Sequence, residues 1–236
     1  MDRVTILIPT YNHQRYLAEA VESALHQTYT DREVVVVDDG STDRTPEILA
    51  RYGRAIRVIR TENGGTPSAL NTGIGAARGE WIAWLSSDDA FLPDKLARQL
   101  ALAAEQPALS VIYTDWYVVD GAGRVTDQLG TPPYRTRRQL IRGLFAGCVI
   151  NGSTTLVRRE ALDRIGRFDE RLKQAHDWDL WLRLARDHEF GHVRAPLVRY
   201  RWHGENMSAG PDALDYNEWV LQKARAFYGE EAPTGR

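Results

Sequence analysis

The chain has 236 residues, of which 43% are apolar and 26% charged, with a net charge of −2. This is an ordinary globular composition, long enough to bury a core, and it argues against a general nucleic-acid binder. Cys148 is the only cysteine, so no intramolecular disulfide can form and a reducing compartment fits.

The opening residues MDRVTILIPTYN contain one short apolar run, read as a strand over 4–10. That run is too short for the apolar segment of a signal peptide, and no small-residue cleavage site follows it. No later stretch approaches the roughly 18 apolar residues of a membrane span. The expected location is the cytoplasm, with peripheral contact at the inner face of a membrane left open. Strand and helix then alternate. RYLAEAVESALHQ (15–27) has helical spacing, EVVVVDDGS (33–41) is an apolar strand broken by Asp-Asp-Gly, and 42–52 is helical. AIRVIRT (55–61) is a strand, 67–77 a helix, EWIAWLSS (80–87) a strand, and 93–104 a helix with Pro93 at its first position. LSVIYTD (109–115) is a further strand. Apolar strands between helices, without polar alternation, predict an α/β fold with a mostly parallel central sheet flanked by helices.

The second half is less regular. DGAGR (120–124) reads as a hairpin turn, 136–145 as a helix, and TTLVRREALDRIG as a strand entering a short helix that stops at Gly166. DWDLWLRLARDHEF (177–190) is an amphipathic helix with Leu180, Trp181, Leu184 and His188 on one face. APLVRYRWHG is a strand, DALDYNEWVLQKARAFYG a terminal helix, and the residues after Gly229 an expected disordered tail. Residues 1–115 are read as one half of a single domain, 116–229 as its other half, and 230–236 as the tail.

Three strand ends carry polar residues: Thr10, Tyr11 and Asn12; Asp38, Asp39 and Ser41; Ser86, Ser87, Asp88 and Asp89. In an open parallel sheet, ligands bind outside the carboxyl ends of the strands. Turn chemistry alone favours Asp, Gly and Ser after one strand. Three such ends together point to a site for a cation and a planar ring. Adjacent carboxylates such as Asp88 and Asp89 repel each other unless something positive lies near. GIGAARG (73–79) mimics a dinucleotide fingerprint but precedes its strand, so that reading is weak.

The series ILIPTYN, VVVVDDGSTD, NGG with ALNTGI, EWIAWL with SDD and LPDKL, and HDWDLWLRLA resembles family 2 of the glycosyltransferases. The resemblance runs from about residue 3 to about residue 208. It implies the GT-A fold, a Rossmann-like sheet with a smaller acceptor-side C-terminal part. It also implies inverting transfer of a sugar from a nucleoside diphosphate sugar, with a UDP-sugar favoured, to a saccharide or lipid-linked acceptor. The leaving diphosphate gains negative charge in the transition state, which a divalent ion, Mn²⁺ or Mg²⁺, stabilises. Direct displacement needs a general base at the acceptor hydroxyl.

By the resemblance, Pro9, Thr10 and Tyr11 form the nucleotide loop. Asp39 takes a ring N–H of the base, which uracil, thymine and guanine all offer, and Asp38 lies nearer the ribose. Asn71, Ser87, Asp88 and Arg201 complete the donor side. Asp88 is the expected metal ligand with His203, and Asp89 supports it. Where the family's metal motif starts with an acid, this chain has Ser86. Asp177 matches the general base, and His176 stands where the family has Glu or another polar residue. Asp115, Asn151 and Gly152 fall on the acceptor side. Asp179 is read as structural, as are Trp81, Trp84, Trp178 and Trp181. Arg135, Arg137, Arg138 and Arg142 form either a solvated face or a contact for an anionic acceptor or membrane. A non-catalytic nucleotide-sugar binding protein is the main rival, prompted by Ser86 and opposed by the retained Asp177. A sugar nucleotidyltransferase is disfavoured because PTYNHQRY lacks the glycines of that class's first loop.

Overall fold

All seven residues of β1 (Val4–Thr10) are buried, as are the last five of β2 (Arg32–Asp38), because helices cover both faces of the sheet. The computed structural model describes residues 3–204, 206 and 213–233. Among these, the chain continues through α1 (Leu17–Leu25), α2 (Thr45–Ala50), β3 (Arg57–Arg60), α3 (Thr66–Ala76), β4 (Trp81–Trp84), β5 (Ala90–Phe91) and α4 (Lys95–Glu105). Then come β6 (Leu109–Val119), β7 (Val125–Leu129), α5 (Arg137–Ala146), β8 (Leu156–Arg158), α6 (Arg159–Ile165), α7 (His176–Asp187), β9 (Glu189–Arg201) and α8 (Ala213–Tyr228).

One sheet runs in the order β3-β2-β1-β4-β8-β6-β9-β5, with β7 paired to β6. Alternate residues feed two cores. Ile6, Ile8, Val34 and Val36 pack with α1, α2 and α4, while Leu7, Val35 and Val37 face α3, α5, α6, α7 and α8. The expected buried tryptophans Trp81, Trp84, Trp178 and Trp181 all lie in these cores.

β3, β2, β1 and β4 are parallel, and Thr10, Asp38 and Arg60 stand side by side at their carboxyl ends. Beyond β4 the sheet is mixed: β8 runs antiparallel to both β4 and β6, and β5 antiparallel to β9. β6 is therefore parallel to β4 and ends at the same rim. Its pairing with β9 shifts register on both sides of Asp115. β6 also extends four residues past the expected 109–115, through the 120–124 turn into β7. β5 and the first half of β9 are strands that apolar periodicity did not mark.

Helix boundaries move by one to three residues. Pro93 precedes α4 rather than opening it; its carbonyl accepts from Thr28 N at 2.9 Å. Gly166 ends α6 with φ 86°, the left-handed conformation glycine adopts without steric cost. Residues 229–231 make a short 3₁₀ turn after α8, and 234–236 lie outside the described residues. No helix among the described residues is long and apolar enough to cross a membrane.

Candidate active site

The rim formed by β1, β2 and β4 is held together by its own polar groups. Asn12 sits in the left-handed region at φ 53°, which asparagine adopts more readily than other side-chain-bearing residues. Its Oδ1 accepts from Thr42 N at 2.8 Å, and its own N–H donates to Ser41 Oγ at 2.9 Å. This clamps the loop after β1 to the loop after β2. Tyr11 projects from the clamp at 45% exposure, available to a ring, while Pro9 and Thr10 are buried. Thr10 Oγ1 is buried without a hydrogen-bond partner.

The two aspartates after β2 have distinct tasks. Asp38 is buried; Ser41 N donates to its Oδ1 at 2.9 Å and Arg60 Nη1 to its Oδ2 at 3.0 Å. Its carboxylate holds the turn, with about two of its four lone-pair sites used. Asp39 accepts from Thr61 Oγ1 at 3.1 Å, Gly64 N at 3.0 Å and Gly65 N at 2.7 Å. A carboxylate offers about four lone-pair sites, so roughly one remains on Asp39. Gly65 has φ 87°, and Gly40, at φ 81°, would bring a Cβ to 3.0 Å from Asn63 N; both permit this close loop approach.

Asn71 is engaged within the protein. Its amide spans α3 and the segment before α7: Nδ2 donates to Phe168 O at 3.0 Å and Glu170 Oε1 at 2.8 Å, and Oδ1 accepts from Phe168 N at 3.0 Å. Both amide hydrogens are thus used within the protein, and one lone pair of Oδ1 is left over. Arg201 is enclosed as well. It is 2% exposed, donates to Asp88 O at 2.9 Å and Asp120 O at 3.1 Å, pairs with Glu19, and lies 4.6 Å from the Tyr16 ring. A guanidinium so enclosed braces the loop that carries Asp88.

After β4, Ser87 Oγ lies 2.6 Å from His13 Nδ1. Asp88 Oδ2 faces His203 Nε2 at 3.1 Å. Asp89 is buried; it accepts from Arg201 N at 2.9 Å and from Ser153 Oγ at 2.5 Å. Burial and the neighbouring Asp88 charge push Asp89 well above the usual carboxylate range. The adjacent pair is thus split, Asp88 on the site side and Asp89 bonded into the protein. Among the described residues no three His, Cys, Asp or Glu side chains gather as a metal cage. The Asp88–His203 pair still fits one ion: two ligands about 2.1 Å from a metal at right angles stand about 3 Å apart. The remaining positions suit phosphate and water oxygens, as is usual for Mg²⁺ and Mn²⁺.

α7 begins after Ala175, which has φ 54°. Asp177 Oδ1 accepts from Trp178 N at 2.8 Å, and Cys148 Sγ lies 3.8 Å from Asp177 Oδ2. Asp179 is structural as expected, paired with Arg183 at 2.8 Å and Lys223 at 2.7 Å. Asn151 Oδ1 accepts from Ser153 N at 2.9 Å and opens a 3₁₀ turn, and Gly152 packs flat against the Trp84 ring. Ser153 donates to Asp89 and also accepts from Ser86 N at 3.1 Å. Cys148 and Ser153 are five residues apart, a span of at most about 17 Å when extended. One short segment therefore joins Asp177 to the Asp88–Asp89 loop.

Two features escaped sequence reading. One is the partner of the expected acceptor-side residue Asp115: its Oδ1 meets His192 Nε2 at 2.7 Å, and the His192 ring stacks on Tyr113 with centroids 4.6 Å apart. No sequence signal marked this pairing, because the β6–β9 register that brings His192 beside Tyr113 shifts on both sides of Asp115. The other is α1 with its leading loop, where His13, Tyr16 and Glu19 all reach the segment around Asp88 or Arg201.

The curled mixed sheet flanked by helices is the fold of the GT-A glycosyltransferases. The family model described as "Glycosyl transferase family 2" matches residues 5–166. The chain belongs to that family.

An uncharacterized glycosyltransferase of Rickettsia typhi is 38% identical over 203 residues, covering 85% of this chain and 64% of the relative. A chondroitin synthase of Escherichia coli is 34% identical over 209 residues, covering 87% of this chain and 30% of that enzyme. The chain thus spans less than two thirds of the length of these curated relatives. The structure of S. aureus TarS 1–349 in complex with UDP-GlcNAc superposes with a TM-score of 0.75 at 21% identity, over 97% of this chain and 71% of that one. The mannosyltransferase PcManGT from Pyrobaculum calidifontis, in complex with GDP-Man and Mn²⁺, gives 0.65 at 21% identity, over 100% and 76%. At these identities the structures speak to the fold alone.

Proposed function

We propose that this chain transfers a sugar from a nucleoside diphosphate sugar, UDP-linked, to a hydroxyl of a saccharide or lipid-linked saccharide, with inversion. The observation that carries the reading is the 148–153 segment, which ties Asp177 to the Asp88–Asp89 loop. A carboxylate suited to take a proton and a carboxylate suited to the diphosphate end thereby face one rim. The base lies between the projecting Tyr11 and the remaining lone pair of Asp39. Asp177 takes the acceptor hydroxyl's proton as that oxygen attacks the anomeric carbon. The bond from that carbon to the diphosphate oxygen breaks, and its electron pair leaves with the nucleoside diphosphate. Asp88 and His203 would hold a divalent ion, Mn²⁺ or Mg²⁺, which neutralises the charge gained by the leaving group. Asp115, held by His192 on the α7 side of the sheet, supports an acceptor-side role. The exposed Arg135, Arg138 and Arg142 support contact with an anionic acceptor or membrane surface.

The test is a panel of UDP-, GDP- and dTDP-sugars with Mn²⁺, with and without chelator, scored by released nucleoside diphosphate. Asp177→Asn is expected to bind the productive donor as wild type does, and to lose transfer by about 10²–10⁴-fold. Asp88→Ala is expected to lose Mn²⁺-dependent donor binding in calorimetry. Normal turnover of Asp177→Asn would remove it as the base.

A further inference from the structure

Asp88 and His203, the two groups facing one another on the rim, are both backed by one turn. That turn is residues 13–16, where Tyr16 N and Leu17 N each donate to His13 O at 3.1 Å and α1 begins. From it, His13 Nδ1 reaches Ser87 Oγ at 2.6 Å, next to Asp88. The Tyr16 ring lies 5.2 Å from the His203 ring, centroid to centroid. The turn is also continuous with Asn12, whose backbone N–H and side chain clamp the loop after β2. Ser87 is buried, so its hydroxyl is held in place, and a bond of 2.6 Å between two ordered side chains fixes the distance between the loops. The loops that frame the nucleobase and the segment that carries Asp88 are therefore one mechanical unit, with His13 as the joint.

We propose that His13 is a positioning residue that acts through Ser87 to set Asp88, coupling occupancy of the nucleoside loops to engagement of the diphosphate. The proposal rests on the donor reading above. It names a residue that acts by holding another, without touching the reacting atoms.

The geometry separates this role from direct contact with phosphate. Nδ1 is one bond from the ring carbon Cγ, where asparagine also carries its amide atoms; Nε2 is reached instead by the longer glutamine. His13→Asn keeps a polar atom at the Ser87 position, whereas His13→Gln places one further out. Calorimetry at fixed pH would measure UDP and GDP binding in Mn²⁺, and UMP and GMP binding without metal. His13→Ala and His13→Gln are expected to weaken the preferred nucleoside diphosphate in Mn²⁺ about tenfold and leave its monophosphate within twofold. His13→Asn is expected to stay within threefold of wild type. Ser87→Ala should reproduce His13→Ala, and the double variant should add nothing further, because both remove the same bond.

Rescue by Gln but not Asn would overturn the proposal in favour of direct phosphate contact. Equal losses for diphosphate and monophosphate would reduce His13 to general loop support and also overturn it, as would wild-type affinity in every variant. If the wild type binds neither UDP nor GDP in Mn²⁺, the donor reading fails, and the proposal falls with it. That outcome is separate, because it appears before any variant is made.

Discussion

Arg201 stands in the RYRWHG stretch two residues before His203, and alternation along a strand puts both on one face. In the fold the two part. His203 meets Asp88, while the guanidinium is closed in by two backbone carbonyls, Glu19 and the Tyr16 ring. Breaking a buried charge arrangement costs about 3–5 kcal/mol, since the partners are left unsatisfied. Arg201→Lys keeps the charge but cannot reproduce the fork of donors. It is expected to lower the melting temperature by several degrees and to leave the donor KM, per folded molecule, within twofold. A large rise in KM with unchanged melting would restore Arg201 to the donor site. Gly152 makes a second residue-scale case. A Cβ there would enter the Trp84 ring, and such overpacking costs about 1–3 kcal/mol. For a chain of this size that is roughly 2–12 °C of melting temperature. Because Gly152 lies on the segment between Asp177 and Asp89, Gly152→Ala should also reduce turnover in the soluble fraction. Wild-type melting and turnover would show that Trp84 moves aside freely. Asn71 and Arg201 mark a limit of sequence reading: amide and guanidinium chemistry suits a nucleotide and a backbone equally, and their backbone partners appear only in the fold.

α7 joins chemistry to stability through its first turn. His176 is buried between Trp84 and Phe168, with ring centroids 5.7 and 5.8 Å away, and neither of its ring nitrogens has a partner. Burial lowers it below the ordinary imidazole range, although Asp177 and Asp179 pull the other way. The unfolded chain takes up this proton near pH 6.5, whereas the folded chain resists until lower pH. The unfolded state therefore binds more protons in that window, and stability falls as pH drops from about 7 through 6.5 towards the lowered folded value. His188, at the other end of α7, is lowered by burial and adds in the same direction. His176→Phe keeps a ring against Trp84 and Phe168. Its melting temperature should fall less than wild type's between pH 7.5 and 5.5, and equal slopes would exclude His176 as the source. The α7 pattern itself was plain in sequence, since Leu180, Trp181 and Leu184 recur at helical spacing and all are buried. The parallel strands β1, β2 and β4 were plain for a related reason: both faces are covered, so the runs are apolar throughout. β5 and the early part of β9 were not. Two residues are too short to show a period, and EFGHVR mixes apolar, charged and glycine residues along a strand that changes register. The Asp88 and Asp177 positions were legible as motif, whereas their link through Cys148 and Ser153 required the fold.

At the scale of the whole molecule, the sheet order decides what can stand alone. The family match ends at residue 166, yet β9 lies between β6 and β5 and pairs with both. α7 fills the core on the face of Leu7, Val35 and Val37, contributing Trp178, Leu180, Trp181, Leu182 and Leu184. A fragment of residues 1–166 would lose that helix and expose the edge of β6, an invitation to association between chains. Burying a large apolar side chain contributes about 1.5–3 kcal/mol, so losing five such residues removes a sum comparable to the whole stability of a domain. Arg201, and with it the bracing of Asp88 and Asp89, would go too. The 1–166 fragment is therefore expected to be insoluble, or to lack a cooperative thermal transition by calorimetry, whereas 1–233 unfolds in one. Extending the fragment to residue 204 restores β9 and α7 but omits α8, whose Val220 and Ala224 close the same core. That version should fold with a lowered midpoint. A cooperative 1–166 fragment that still binds a nucleoside diphosphate would show that the donor half is an independent unit, and that the second half of the sheet is an addition to it.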